Sequence, residues 1–361
     1  MNGNRENVLE GIFAVAKPAH ISSADVLQKL QSTFASSDLF APLLHTQPRR
    51  PSKGDDNVFK MGHGGTLDPL AAGVLIVGIG RGTKHLNKYL ACSKTYETVV
   101  LFGASTDTYD CTGVVNGRGP FEHVTRQLVE QNLVRFRGKI MQVPPIYSAL
   151  KVNGIKACEY ARNGKELPRE LEGREMTVDD CTLLEWYDGG QNNLNVLGGE
   201  ELAHAPAARI RLTVGSGFYV RSFAHDLGIA CETKSHMVAL LRTRQSDYAI
   251  AEAAQDSDFV SAITYADLDA EEEVWALKIR PQLEAWVAAN PIVTGHVNGR
   301  MGGIKQKLAK DNMPRQRFRG GWIAETKKER IEQQGGKYKG KWGLKKQEAV
   351  TGAKNESASP I

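Results

Sequence analysis

The chain has 361 residues, 41% of them hydrophobic, enough to bury the core of one large domain or two ordinary ones. No apolar run approaches the roughly 18 to 20 residues that span a bilayer, and the opening MNGNRENVLEG offers neither a signal-peptide core nor an acid-poor, Arg-rich transit sequence. The formal charge of +5 is unevenly spread, because residues 291–361 hold 16 Lys and Arg against 6 Asp and Glu, whereas the remainder holds 30 against 35. In chain order, Gly11–Lys17 carries Ile12, Phe13 and Val15 as a short strand would, ended by Pro18. Ser22 or Ser23 is placed to cap a helix through Val26, Leu27 and Leu30. Residues 36–60 lose periodicity and gather Pro42, Pro48, Pro51, Arg49, Arg50 and Lys53, reading as a basic loop or insertion.

Glycines are densest over 62–80; a helix over 86–90 and an alternating strand over 95–102 follow. Spacing predicts a helix over 121–136, an exposed charged flap over 151–165 and a strand over 174–186. A second irregular stretch, 189–205, precedes a strand over 209–214 with Ile210, Leu212 and Val214 on one face. The turn Gly215-Ser216-Gly217 leads into a helix over 222–231, and a last helical stretch, 274–286, is expected to break or kink at Pro281. Strands mixed with helices without a regular βαβ rhythm predict an α+β fold. The expected division is an extension at 1–10, a catalytic body at 11–290 and a basic tail at 291–361. The five cysteines, odd in number and without a Cys-x-x-Cys pair, argue for reduced thiols and against a zinc ribbon.

The densest chemical signal is GHGGTLDPLAAGVL at 62–75. Glycines flanking His63 let backbone approach a ligand, and Pro69 holds Asp68 in extended or turn geometry, so the carboxylate belongs on a loop. Asp68 could equally be a turn or cap residue. The run lacks a Gly-Lys-Ser/Thr ending and a GxGxxG pattern, so a nucleotide cofactor is not indicated. A carboxylate in a closed pocket stays charged beside a cation, and a guanidinium is a directional, permanently charged partner for it.

The stretch GHGGTLDPLAAGVLIVGIGRGTK resembles the signature of the TruB family of pseudouridine synthases. Further stretches fall in the family's order: GIFAVAKPAHISS, KTYETVVLFGASTDTYDCTG, PPIYSALKVNGIKACEYARNGK, and SGFYVRSFAHDLG followed by MVALLRTRQSDY. The resemblance implies the pseudouridine synthase fold, a central mixed, mostly antiparallel sheet flanked by helices and loops. It implies Asp68 as the catalytic carboxylate, Arg221 of the YVRS stretch as the candidate cation that keeps it charged, and Tyr96 as the ring that stacks on the target uracil and serves removal of the C5 proton. By the same resemblance His63 contacts the flipped region, Tyr219 and Leu240 form the base pocket, and Lys17 and Lys151 give site support or phosphate contacts. The chemistry cleaves N1 to C1′ and rejoins the uracil through C5, which requires neither cofactor nor metal.

No PUA domain is recognisable after Asn290, and the details GHGGTLDP and the basic segment before it look like the stand-alone fungal and other eukaryotic branch. That branch implies a monomer that uses no guide RNA and no membrane. Its usual partner is the T-loop of tRNA, and mRNA is a further substrate class. Such relatives act in nuclear and mitochondrial compartments; the N-terminus gives no support for mitochondrial import, so nucleus or cytoplasm is expected. A non-catalytic RNA-binding protein or tRNA-folding chaperone on the same fold is the competing reading. The basic tail is expected to contact phosphates, so its deletion should weaken tRNA affinity and flatten the dependence of affinity on salt. Affinities measured over a salt series on intact and shortened chains check this, and identical slopes refute it.

Overall fold

The computed structural model describes residues 8–46, 58–190, 202–253 and 258–292. Strand β1 (Gly11–Lys17) is buried along nearly its whole length. Helix α1 (Ser23–Ala35) then begins on a reciprocal cap: Ser22 Oγ accepts the Asp25 amide at 3.1 Å, and Asp25 Oδ2 accepts the Ser22 amide at 2.7 Å. Helix α2 (Ala41–Thr46) precedes strand β2 (Met61–His63), which turns through a loop into β3 (Ala72–Ile79). Next come α3 (Leu86–Ala91), β4 (Lys94–Phe102) and the small antiparallel pair β5 (Ala104–Thr106) and β6 (Val115–Arg118). Helix α4 (Arg126–Leu133) and β7 (Gly138–Gln142) lead to the hairpin β8 (Lys151–Val152) and β9 (Ile155–Lys156), with α5 (Ala157–Arg162) directly behind it. The long strands β10 (Arg174–Tyr187) and β11 (Ala207–Val214) follow, then α6 (Val220–Ala230), β12 (Ser235–Gln245), β13 (Tyr248–Ala249) and β14 (Val260–Ser261). Helices α7 (Tyr265–Leu268) and α8 (Glu272–Ala289) end the described body.

The main sheet runs β1-β3-β12-β4-β11-β10-β7, with β2, β13 and β14 attached to it. Every pairing is antiparallel except β3 with β12 and β13 with β14, so the expected mixed, mostly antiparallel sheet is present. Alternation explains β4 and β11, where every second side chain is buried over most of the strand. Val100, Phe102, Ile210 and Leu212 join Phe223, Ala224 and Leu227 of α6 in one apolar cluster. A second cluster packs Phe13, Val15, Leu75 and Val77 with Val26, Leu30 and Phe34 of α1 and Trp275, Ile279 and Leu283 of α8.

Several sequence expectations change. The ends of the 36–60 stretch are core: Leu39, Phe40, Leu43 and Phe59 are buried, and Phe40 stacks on Phe34 at 4.4 Å. Its prolines and arginines had masked four apolar anchors; residues 47–57 lie outside the described part. The helix expected from 121 starts at Arg126, because the Thr125 hydroxyl accepts the Leu128 amide and sets the first turn there. The 151–165 flap is a hairpin backed by a short helix. Helix α8 runs through Pro281 as one element: the carbonyl that loses its partner belongs to Leu277, and Leu277 and Pro281 both lie on the exposed face, where water can serve it. Of the 189–205 stretch, 191–201 lies outside the described residues, as does the tail from 293 onward.

The single parallel contact within the long strands pairs Ala72 with Leu241 and Gly73 with Arg242. Gly73 has φ +107°, and a Cβ there would stand 2.1 Å from the Arg242 carbonyl oxygen. Gly73→Ala is therefore expected to cost at least about 3 kcal/mol, a large share of the roughly 5–15 kcal/mol that separates folded from unfolded domains. Urea unfolding of the two proteins measures the loss.

Candidate active site

Asp68 sits on the loop between β2 and β3, and the protein bonds to the backbone of this loop at almost every step. The Gly64 amide donates to Ile76 O at 2.8 Å, and Gln245 Nε2 donates to Gly64 O at 2.6 Å. Arg242 Nη2 donates to Gly65 O at 3.0 Å. The hydroxyl of Ser23 takes the Leu67 amide at 3.0 Å and reaches Leu67 O at 3.2 Å. Beyond Asp68, Pro69 O accepts the His20 amide at 2.7 Å and Lys17 Nζ at 3.3 Å. Each such bond contributes about 1 kcal/mol net, and together they fix the loop before any ligand arrives.

The carboxylate is held from a different element. Arg221, in the first turn of α6, donates from Nε to Asp68 Oδ2 at 2.9 Å, from Nη1 to Thr108 O at 3.0 Å and from Nη2 to Tyr147 O at 2.9 Å. Asp110 Oδ2 stands 3.7 Å from the same Nε, so the guanidinium lies between two carboxylates. The Arg221 side chain is 8% exposed and that of Asp68 is 39% exposed. The cation is thus the buried member, and the acid faces outward. Asp68 Oδ1 takes no hydrogen bond among the described residues, which leaves one carboxylate oxygen open to a ligand.

The start of α6 is itself anchored. Gln142, at the end of β7, takes the Tyr219 amide on Oε1 at 2.8 Å and donates from Nε2 to Tyr219 O at 3.0 Å. Tyr219 is the N-cap residue of α6, half-buried, two positions before Arg221. Ser222 adds a bond to Val143 O at 2.8 Å.

Other expected site residues converge on the same loop. Tyr96 on β4 lies across from Arg242 of β12, and Tyr96, Leu240 and Leu67, the residue preceding Asp68, all belong to one buried apolar cluster. The Tyr96 hydroxyl takes no hydrogen bond among the described residues. His63 ends β2; its Nδ1 is buried and unpartnered, and burial, then the charge of Arg242, push its pKa below the ordinary imidazole range, so the ring is neutral near pH 7.

Lys17, expected to give site support or a phosphate contact, is 1% exposed and donates to Pro18 O, Ile21 O and Pro69 O, so it braces the loop from inside. Burial pulls its pKa down to about 8, partly offset by attraction to Asp68. Lys151 stands apart, exposed on β8. Sequence reasoning passed over Asp110, Gln142, Arg242 and Gln245. Only Asp110 had a legible signal: in Thr108-Tyr109-Asp110-Cys111-Thr112 its Oδ1 gathers Thr108 Oγ1, the Thr112 amide and Thr112 Oγ1, a local turn pattern that the alternating Thr and Asp foreshadow.

A family model described as TruB family pseudouridylate synthase, N-terminal domain, matches residues 53–220. The chain is 31% identical to tRNA pseudouridine synthase 4 of Schizosaccharomyces pombe, over 66% of this chain and 79% of that protein. It is 36% identical to pseudouridylate synthase TRUB1 of Mus musculus, over 69% of this chain and 67% of that protein. Identity to tRNA pseudouridine synthase B of Bacteroides fragilis is 35%, over 58% of this chain and 82% of that protein.

Arg221→Lys would keep a charge at the site, but one ammonium cannot serve Asp68, Thr108 and Tyr147 together in the planar arrangement seen here. The rate of the chemical step is expected to fall by about 10²-fold or more, while the thermal midpoint moves by less than about 5 °C. Single-turnover kinetics set beside calorimetry distinguish the two, and parallel losses would count against a catalytic pairing.

Proposed function

The chain belongs to the TruB family of pseudouridylate synthases, and on that premise we propose that it converts the T-loop uridine of tRNA, position 55, to pseudouridine. The observation that carries the reading is the Asp68–Arg221 pair at 2.9 Å, with one carboxylate oxygen left open on the outward side. Relatives named as tRNA pseudouridine synthases support tRNA as the substrate class.

The reaction conserves atoms and electrons. The N1 to C1′ bond breaks, the uracil turns, a C5 to C1′ bond forms, the C5 proton departs and N1 ends protonated. An anionic oxygen beside C1′ serves such a step as carboxylates serve glycoside cleavage. In this reading Asp68 acts at C1′ through Oδ1, and Arg221 fixes the other oxygen. Tyr96 presents a π-face to the uracil and a hydroxyl for proton handling. Leu240 and Tyr219 wall the base, and the neutral His63 borders the displaced region.

A stacked uridine must leave the loop to reach Asp68, at a cost of a few kcal/mol. Cations outside the pocket can offset that cost through phosphate contacts. Lys151, Lys156 and Arg162 are at least partly exposed on the hairpin and short helix spanning 151–162, and we assign this surface to the bent T-stem-loop, which is recognised by shape. The same reading makes the protein a monomer acting without guide RNA in nucleus or cytoplasm, with T-loop-like hairpins of mRNA as further substrates.

Purified protein incubated with an unmodified tRNA transcript, followed by pseudouridine mapping, tests the proposal. Product is expected at the T-loop uridine with the wild type and none with Asp68→Ala. A wild type that binds the transcript without forming product would assign the fold to RNA binding or chaperoning instead.

A further inference from the structure

Arg221 depends on the segment from Thr108 to Asp110, and something must hold that segment in place. Thr108 O accepts Arg221 Nη1, and Asp110 Oδ2 lies 3.7 Å from Nε. The hydrogen bonds of Asp110 Oδ1 go to Thr108 and Thr112, and Thr106 Oγ1 donates to Asp110 O, so they shape the turn without setting its distance from α6. On its other side the turn is tied to β12: the Met237 amide donates to Tyr109 O at 3.0 Å, and the Cys111 amide to Met237 O at 2.8 Å.

Among the described hydrogen bonds, ion pairs and ring contacts, the one that crosses from this turn to α6 besides those of Arg221 is made by Tyr109. Its ring lies on the imidazole of His225 with centroids 4.0 Å apart and planes 9° from parallel. His225 follows Arg221 by four residues, so the two side chains share one face of α6. Burial, with a smaller effect from Lys234, pushes the His225 pKa down to about 4, so two neutral rings meet. Tyr109 reaches this stack with φ +63°, a left-handed backbone that a bulky L residue adopts only where surroundings compensate.

We propose that Tyr109 is a positioning residue: its stack on His225 sets the separation between the 108–110 turn and α6, and so the direction in which Arg221 presents its guanidinium to Asp68. Without the stack, the turn would keep its bonds to β12 but would meet α6, among the described hydrogen bonds, ion pairs and ring contacts, through Arg221 alone. The proposal rests on the tRNA reading for its assay, and it adds a residue that the family motifs quoted above did not single out for any role.

Tyr109→Gly tests it directly, because glycine takes the left-handed backbone freely and only the ring is lost. On full-length protein with saturating tRNA transcript, the single-turnover rate is expected to fall by about tenfold or more, with tRNA affinity and thermal midpoint near those of the wild type. Tyr109→Phe is expected to restore the rate, since the ring carries the effect. His225→Gln removes the stack from the helix side and is expected to reproduce the rate loss, which keeps the test decisive if the turn variant folds poorly. Combined with Arg221→Lys, the Gly substitution should add little, because both disturb one unit. An unimpaired Gly variant, a loss confined to tRNA affinity, or additive losses in the double variant each overturn the proposal. Absence of turnover in the wild type would overturn the tRNA reading and this proposal together, whereas wild-type turnover with an unimpaired Gly variant overturns this proposal alone.

Discussion

The interaction on which the site depends is an ion pair in which the buried partner is the cation. Removing a guanidinium from water costs several kcal/mol unless its donors find acceptors, and Arg221 meets that demand with one carboxylate oxygen and two backbone carbonyls, while a second carboxylate stands close by. Because three separate segments supply those acceptors, the guanidinium is fixed in direction as well as in charge. Asp68 inherits that direction. Its own backbone contributes little freedom, since the loop on either side of it is bonded to β1, α1 and β12.

That arrangement explains why so much polar material lies inside this part of the fold. Lys17, Lys94, Arg242 and Gln245 are all buried, and the bonds of all four to main-chain carbonyls lie under or beside the Gly-rich loop. Tyr89 O accepts from both Lys94 and Gln245, and Gln245 passes the connection on to Gly64 O. Burial depresses the pKa of Lys17 and of Lys94, which is the cost of placing ammonium groups there. The return is mechanical: a loop without regular secondary structure is bonded into the sheet at both ends, and bracing of this kind is what holds a functional group to a fraction of an ångström.

Sheet topology supplies the remaining constraint. The parallel contact of β3 with β12 brings the end of the Gly-rich loop against Arg242, and it requires Gly73, whose absent side chain leaves room for the Arg242 backbone. The same strand β12 carries Leu240 into the cluster with Tyr96 and Leu67, and its Met237 bonds the turn that contains Tyr109 and Asp110. One strand therefore touches the loop of Asp68, the apolar cluster that holds Tyr96 and Leu67, and the turn behind Arg221.

Some of this was legible in the residues alone. Alternation in β4 and β11, the Ser22 cap of α1 and the loop status of Asp68 before Pro69 follow from signals that lie within a few residues of each other, whereas the pairing of Asp68 with Arg221, 153 residues away, was expected only because motifs in the family's order stand at both positions. The core role of Phe40 and Phe59 was hidden, since the stretch around them shows no period and is interrupted by prolines and cations; Phe40 gains meaning from Phe34 and Trp275, and Phe59 from Phe40. Gln142, Arg242 and Gln245 look like ordinary surface residues in strands, and Tyr109 like a loop aromatic. Their acceptors and stacking partner lie 77 to 181 residues away in the chain in the case of the bonds, and on α6 in the case of the ring. Sequence determined which groups could do the chemistry, because composition and short motifs set their types; only the tertiary structure decided which of them are buried, what they brace and how they point, because burial and hydrogen-bond partnership are properties of neighbours far along the chain.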